Sequence, residues 1–422
     1  MNRAAAAVSV TGLGMLTPAG TGTEATWRGV LDGVGTAAPD PALAGLPVDF
    51  SCRVPDFRPE AHLGDRALWR TDRCAQLAVV AAHEAVRDAG LDPGTWDGTR
   101  VAVIVGTCWS GRRSGEEAHR DMLREGPDAV PPTLVPKVLF NTPAAEVSLA
   151  LGARGPSLGV SSACASGAHA IALGRDLLAS GACDVAVVGG TDSATTPLLS
   201  SAFHRMGALS RRRGEPAAAS RPFDAGRDGF VLGEGAAVLV LERTADALRR
   251  GAGPRATLAG CASTNDALHA TAPHPEHRVA EAALTTALTE AGLTPDDIDH
   301  VNAHGTATRR GDAVEALLIA RVFPHAPAVT SAKGALGHSF AAAGAVEAAL
   351  TVLTLQHQLI PPTANMDATD PDLPPLDLVT KAAREQRVDA AVSHAFGFGG
   401  HNTVLAFRRS PEPRDPLAGE LS

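Results

Sequence analysis

A cysteine set among small residues carries the first chemical signal in this chain. The stretch Gly159-Val160-Ser161-Ser162-Ala163-Cys164-Ala165-Ser166-Gly167-Ala168-His169 joins an extended run to a helical pattern that continues through Ile171, Leu173, Leu177 and Leu178. A thiol at such a junction faces the unpaired N–H groups of a helix N-terminus, which favour the thiolate. Ala163, Ala165 and Gly167 leave room for a substrate carbonyl to reach the sulfur. These features describe a nucleophile on a tight elbow. They equally describe a structural thiol, because cysteine is among the residues most often buried.

Two histidines share that kind of setting. His304 opens His304-Gly305-Thr306-Ala307-Thr308 at the carboxyl end of a predicted strand, where open α/β sheets keep their sites. His338 lies in Ser331-Ala332-Lys333-Gly334-Ala335-Leu336-Gly337-His338-Ser339, ahead of an apolar helix predicted from Ala341 to Leu355. Taken singly, each histidine could be structural. His300 and His304 have H-x-x-x-H spacing, but Val301-Asn302-Ala303 predicts a strand, so the rings do not stack as on a helix. The glutamate of a H-E-x-x-H site is also missing. No metal is expected.

The elements that must position these groups read as a duplication. Ala85 to Thr107 runs helix, Ala89-Gly90-Leu91-Asp92-Pro93, acidic link, strand Val101 to Val105, Gly106-Thr107. Ala287 to Thr306 repeats the order: helix, Ala291-Gly292-Leu293-Thr294-Pro295, acidic link, strand His300 to Ala303, then His304-Gly305-Thr306. Phe230 to Arg243 and Phe398 to Arg409 match again, each a Gly-rich turn followed by an apolar strand and then charge. A repeat of this size outranks local element assignments. It predicts two similar α/β halves, residues 1–250 and 251–410, with a tail over 411–422. Apolar strands such as Val185 to Val188 predict a sheet covered by helices on both faces.

Composition narrows the class. The chain has 422 residues, 45% hydrophobic and 20% charged, enough for two core-forming units. A formal net charge of −9, 4% aromatic residues and no tyrosine argue against nucleic acid as a partner. The six cysteines are scattered with no C-x-x-C pair, so reduced thiols and a cytoplasmic location are expected. The apolar run near Met1 is short and passes straight into Thr11-Gly12-Leu13-Gly14, which excludes a signal peptide on this reading. No apolar run reaches the length of a membrane span.

Taken together in order, the motifs resemble the β-ketoacyl-acyl carrier protein synthases, or ketosynthases, of the thiolase superfamily. The resemblance runs from Val10-Thr11-Gly12-Leu13-Gly14 through Ser162-Ala163-Cys164-Ala165-Ser166-Gly167 and Ser220-Arg221-Pro222-Phe223-Asp224 with Arg227-Asp228-Gly229-Phe230. It continues through Asn302-Ala303-His304-Gly305-Thr306, Lys333 with Gly337-His338, and Phe396-Gly397-Phe398-Gly399-Gly400. It implies a thiolase fold, with duplicated halves in a five-layer α/β/α/β/α arrangement. It implies decarboxylative Claisen condensation of malonyl-acyl carrier protein with an acyl chain held on Cys164, His304 and His338 being the donors to the enolate. By the same resemblance, the N–H groups of Cys164 and Phe398 form the oxyanion hole, and Phe398 also gates the acyl pocket. Lys333 is a catalytic lysine with Glu315 as its ionic partner, and Thr306 and Thr308 contact the phosphopantetheine arm. For the threonines, turn stabilisation is the alternative. The arm belongs to the carrier protein, so no cofactor of the chain's own is expected.

Further expectations follow from the same likeness. Trp109, in Gly106-Thr107-Cys108-Trp109-Ser110-Gly111, falls where relatives carry a smaller tunnel-lining residue, so its ring should shorten or redirect the pocket. His401 stands where many relatives have threonine. An acidic chain needs a local basic patch to dock an acidic carrier; Arg66, Arg70 and Arg73 read as one helical face matching the family's docking region, with Arg211-Arg212-Arg213 as a second candidate. Asn141-Thr142-Pro143-Ala144-Ala145-Glu146-Val147 and Pro361-Pro362-Thr363-Ala364-Asn365 resemble type II polyketide subunits, whereas the wording around Cys164 is nearer the fatty-acid enzymes. The expected assembly is a discrete subunit in a homodimer, or in a heterodimer with a chain-length-factor subunit. A chain-length-factor-like scaffold is the main non-enzymatic alternative, opposed by the presence of Cys164, His304 and His338. A thiolase is opposed by the lack of a cysteine beyond Cys261.

Overall fold

The computed structural model describes residues 7–410; the run at the chain start and the predicted tail from 411 lie outside the described residues. Its frame is one motif used twice. The first half has strands β1 (Val8–Thr17), β2 (Val101–Gly106), β3 (Ser157–Val160), β4 (Val185–Ser193) and β5 (Glu234–Arg243). Helices α1 (Arg73–Asp88), α2 (Thr142–Leu151) and α3 (Ser166–Ala179) precede β2, β3 and β4 respectively. The second half repeats this with β6 (Ala256–Asn265), β7 (His300–Asn302), β8 (Ala328–Thr330), β9 (Ala390–Gly397) and β10 (His401–Arg409). Here α4 (Arg278–Ala291), α5 (Arg309–Val322) and α6 (Ala341–His357) take the equivalent places.

The spatial orders match strand for strand. The first half runs β3-β2-β4-β5-β1 and the second β8-β7-β9-β10-β6, with Asp377–Leu378 added beyond β8. In each half the first three strands of that order are parallel and the last two pairings antiparallel. The halves join edge to edge where β1 meets β6 over Val8–Leu258, Ser9–Thr257 and Val10–Ala256.

Strand patterning explains the layers. Along β2, Val101, Val103 and Val105 pack outward with α1 and α2, while Ala102 and Ile104 face the middle of the molecule. A strand that is apolar on both faces needs helices on both. α4 covers β6 and β10 on the far outer face, and α3 and α6 fill the layer between the halves. α6 is buried from Ala341 to Gln356, which an amphipathic surface helix could not be. The two central helices nearly touch: a Cβ on Gly167 would sit 2.4 Å from the Ala341 carbonyl oxygen. Only glycine permits that approach. It brings the N-termini of α3 and α6, and so the loops before them, to one place. No described helix is long and apolar enough to cross a membrane.

Candidate active site

Cys164 sits in the turn between β3 and α3. Ala163 turns the chain at φ 50, a left-handed conformation that costs free energy for any residue with a Cβ and persists where the surrounding structure enforces it. The Ser166 hydroxyl accepts from the Ser162 N–H at 2.9 Å and donates to the Ala163 carbonyl, closing the elbow. The end of β9 crosses directly over it, since a Cβ on Gly397 would lie 2.7 Å from the Ser162 oxygen and 3.1 Å from the Cys164 nitrogen. The N–H groups of Phe398 and of Cys164 itself both reach the sulfur.

His338 approaches from the other half of the chain, its Nε2 3.1 Å from the Cys164 Sγ. Burial pushes the thiol up to about 12, with Lys333 and the two amides pulling down and Asp192 adding to the rise. Burial, and then the charge of Lys333, holds His338 well below the ordinary histidine value. Both shifts run towards a neutral thiol beside a neutral imidazole. Removal from water thus acts against the thiolate that the helix N-terminus favours.

His304 stands beside this pair, its ring 5.6 Å from that of His338. Lys333, 1% exposed, donates to the His304 carbonyl at 2.6 Å and lies 3.5 Å from His304 Nδ1. An ammonium has donors only, so Nδ1 is the acceptor and the ring proton falls on Nε2. Burial, then Lys333, depresses the His304 pKa well below normal.

The acid facing Lys333 is Glu347 of α6, not Glu315. Glu315 accepts instead from the N–H groups of His304 at 2.8 Å and Gly305 at 2.7 Å, and from His394 Nδ1 at 3.1 Å. Its place on the first turns of α5 aims it at the backbone beneath His304, which leaves the lysine to the central helix. Burial pushes Glu315 up, but His394 and the two amides outweigh it and hold the carboxyl below its usual value. Burial pushes Glu347 up to about 7 against the pull of Lys333.

Asp192, at the end of β4, is a site residue that the sequence motifs did not reveal. Its buried carboxylate accepts from the Thr107 hydroxyl at 2.9 Å, the N–H groups of Cys108 and Trp109 at 3.1 and 3.0 Å, and Ala341 N–H at 2.9 Å. It thus ties β2 to the start of α6, and burial raises its pKa to about 6. An acid inside an apolar strand was the available signal.

A cleft of about 280 Å³ opens in front of the thiol and is lined by Cys164, His304, His338, Phe398, Thr306 and Thr308. The threonine hydroxyls lie 3.0 Å apart, and Thr308 also caps α5 by accepting from Gly311 N–H at 3.2 Å. Trp109 does not line this cleft. Its ring packs at 6.2 Å against both Phe203 and Phe340, and Phe340 lies 4.9 Å from the His338 ring. An aromatic cluster therefore fills the space behind the nucleophile. His300 is a core residue bonded to the Thr330 hydroxyl at 2.9 Å, and no described cluster of three ligands could hold a metal.

The arginines do not form one helical face. The helix Asp65–Arg70 stops and α1 begins at Arg73, because Asp72 caps α1 through Cys74 N–H at 3.4 Å. Arg70 pairs with Glu146 at 2.7 Å and Arg73 with the buried Glu234 at 2.7 Å. Arg66 is exposed. Of the triplet, Arg213 pairs with Asp49 at 2.5 Å and Arg212 donates to the Gly226 carbonyl at 2.8 Å.

Residues 5–247 match the family described as "Beta-ketoacyl synthase, N-terminal domain", and residues 255–367 match "Beta-ketoacyl synthase, C-terminal domain". This chain belongs to the beta-ketoacyl synthase family. It is 37% identical over 409 residues, 95% of this chain and 98% of the relative, to a Synechocystis protein named 3-oxoacyl-[acyl-carrier-protein] synthase 2. Among solved structures it resembles the ishigamide ketosynthase/chain length factor, with TM-score 0.90 and 33% identity over 96% of this chain and 99% of the other. It also resembles a ketosynthase of a type II PKS solved with its acyl-carrier protein and bound to the hexaketide, with TM-score 0.89 and 29% identity over 96% and 99%.

The Lys333–Glu347 assignment has a direct check. Removing one partner of a buried pair costs about 3–5 kcal/mol, whereas removing both with apolar replacements costs far less. Denaturant unfolding should find Lys333→Met/Glu347→Leu more stable than Glu347→Leu alone. Strictly additive losses, or coupling of Lys333 to Glu315 instead, would contradict the pairing.

Proposed function

We propose that this protein is a β-ketoacyl synthase that condenses a Cys164-bound acyl chain with malonyl-acyl carrier protein, releasing CO2. The observation that carries the reading is the 3.1 Å contact between Cys164 Sγ and His338 Nε2, inside a cleft that also holds His304. As Cys164 attacks an acyl thioester, its proton moves to His338 and on to the departing arm sulfur. The N–H groups of Cys164 and Phe398 hold the tetrahedral oxyanion; one such donor is worth roughly 3–4 kcal/mol of barrier. Loss of CO2 from the malonyl thioester then leaves an enolate, whose oxygen takes hydrogen bonds from His304 Nε2–H and His338. The enolate carbon attacks the acyl group and Cys164 leaves. Lys333 fixes the His304 tautomer and need not transfer a proton. Thr306 and Thr308 line the entrance that the arm would use. The enzyme needs no cofactor of its own, because the phosphopantetheine arm arrives on the carrier.

Names among the relatives support either fatty-acid or polyketide synthesis; the 141–147 segment leans the reading towards polyketide assembly. For partners, the acyl carrier protein is the substrate donor, in the cytoplasm, with Arg66 as the remaining candidate from the first basic patch. A second subunit, identical or of the chain-length-factor kind, is the proposed occupant of the β3 edge. Among the described residues that strand pairs only with β2; Leu158, Leu139 and Phe140 are exposed, and a Cβ on Gly159 would lie 2.7 Å from the Phe140 carbonyl oxygen.

Incubation with acyl-carrier and then malonyl-carrier thioesters tests this reading. Mass spectrometry should find the acyl group on Cys164, then a product two carbons longer, with both absent in Cys164→Ala. No adduct on wild-type Cys164 would overturn the proposal. Across a series of chain lengths, Trp109→Ala should accept longer acyl groups than wild type; unchanged selectivity would remove Trp109 from the pocket's control.

A further inference from the structure

The cleft has a charged side chain at its mouth that the chemistry above leaves unused. In the segment after β7, every second residue from His304 onwards lines the cleft: His304, Thr306, Thr308 and Arg310. Exposure grows along that row. His304 and Thr306 are buried, Thr308 is half-buried and Arg310 is exposed. The row therefore leads from a reacting imidazole to solvent and ends on a guanidinium. Among the described residues that line the cleft, Arg310 is the only arginine or lysine.

Among the described residues, no acid or carbonyl oxygen takes the Arg310 guanidinium. The two acids that line the cleft are engaged elsewhere. Glu315 accepts from the N–H groups of His304 and Gly305, and Asp266 accepts from Asn402 Nδ2 at 2.8 Å and His274 N–H at 3.1 Å. The backbone beneath Arg310 is nevertheless held in place. Arg227, 2% exposed, donates to the Arg309 carbonyl at 3.0 Å and pairs with Asp370 at 2.5 Å. Arg310 also sits in the first turn of α5, where the helix dipole favours acids and disfavours cations. A fixed backbone thus presents an unpaired cation at the cleft mouth, in a position that costs the helix stability.

We propose that Arg310 binds the phosphate of the phosphopantetheine arm and so sets how the arm enters the cleft. This rests on the synthase reading given above. The phosphodiester that joins the arm to its carrier is negatively charged and lies at the far end of the arm from the thioester. With the thioester at Cys164, the arm follows the row of Thr306 and Thr308 outward, and its phosphate meets the guanidinium at the mouth. The planar fork of an arginine pairs with two phosphate oxygens at once. This contact is the same before and during bond making at the far end of the arm, so it acts on KM rather than on kcat.

The test measures acylation of Cys164 by two small donors, an acyl thioester of phosphopantetheine and the same thioester of pantetheine, which lacks the phosphate. Wild type should favour the phosphorylated donor in kcat/KM by about tenfold, as for one charge-assisted pair. Added salt should shrink that preference. In Arg310→Ala and Arg310→Gln the preference should fall to about twofold or less, through KM. Arg310→Lys, which keeps the charge but loses the fork, should fall between. The Tm of the alanine variant should hold or rise, because a cation leaves the helix N-terminus. A wild type that does not distinguish the donors, or alanine and glutamine variants that keep the wild-type preference, would overturn the proposal. So would a loss seen only with the acyl-carrier protein, which would place Arg310 against the carrier's own surface. A wild-type Cys164 that takes no acyl group even from the carrier would instead overturn the synthase reading, so the two failures stay distinct.

Discussion

A single contact, the Cys164 thiol against the His338 imidazole, sets what the rest of the fold must do. The two residues are 174 positions apart in sequence and 3.1 Å apart in space. Each is carried on the loop before a central helix, one from each half. The contact therefore needs both halves to present equivalent strand ends at one point, and it needs α3 and α6 close enough for their N-termini to converge. The bare Cα of Gly167 against the Ala341 carbonyl meets the second condition. The matched strand order meets the first. In this sense the duplication is the catalytic device, because one half supplies the nucleophile and the other supplies the imidazoles.

Burial then decides the electrostatics. A thiol and two imidazoles removed from water all favour their neutral forms, and the charges nearby are arranged around that fact. Lys333 faces Glu347 on one side and His304 on the other, so one buried cation both meets an acid and fixes a tautomer. Glu315 directs its oxygens at backbone N–H groups beneath His304, and Asp192 does the same beneath Trp109 and Ala341. Buried charges of this kind are weak contributors to stability and strong constraints on geometry. They hold in register the loops that carry the reacting groups.

Much of this was legible in the chain. Small residues around Cys164, and histidines at glycine-rich strand ends, named the chemistry, and the repeated helix–glycine–strand order named the architecture. What escaped had local causes. Glu315 and Glu347 both lie on helices near the site, and only the direction each helix takes from its strand separates them. Helical spacing alone makes the arginine stripe continuous, whereas the cap at Asp72 ends one helix and starts the next between Arg70 and Arg73. The aromatic cluster around Trp109 has no local signal, because Phe203 and Phe340 come from distant parts of the chain.

The most direct measurement is the ultraviolet thiolate absorbance of the wild-type enzyme minus that of Cys164→Ala, followed against pH. A buried neutral thiol–imidazole pair predicts no Cys164 thiolate through the neutral range and a midpoint displaced to about 12. A thiolate signal already complete near about pH 7, as for cysteines activated at helix N-termini, would contradict it.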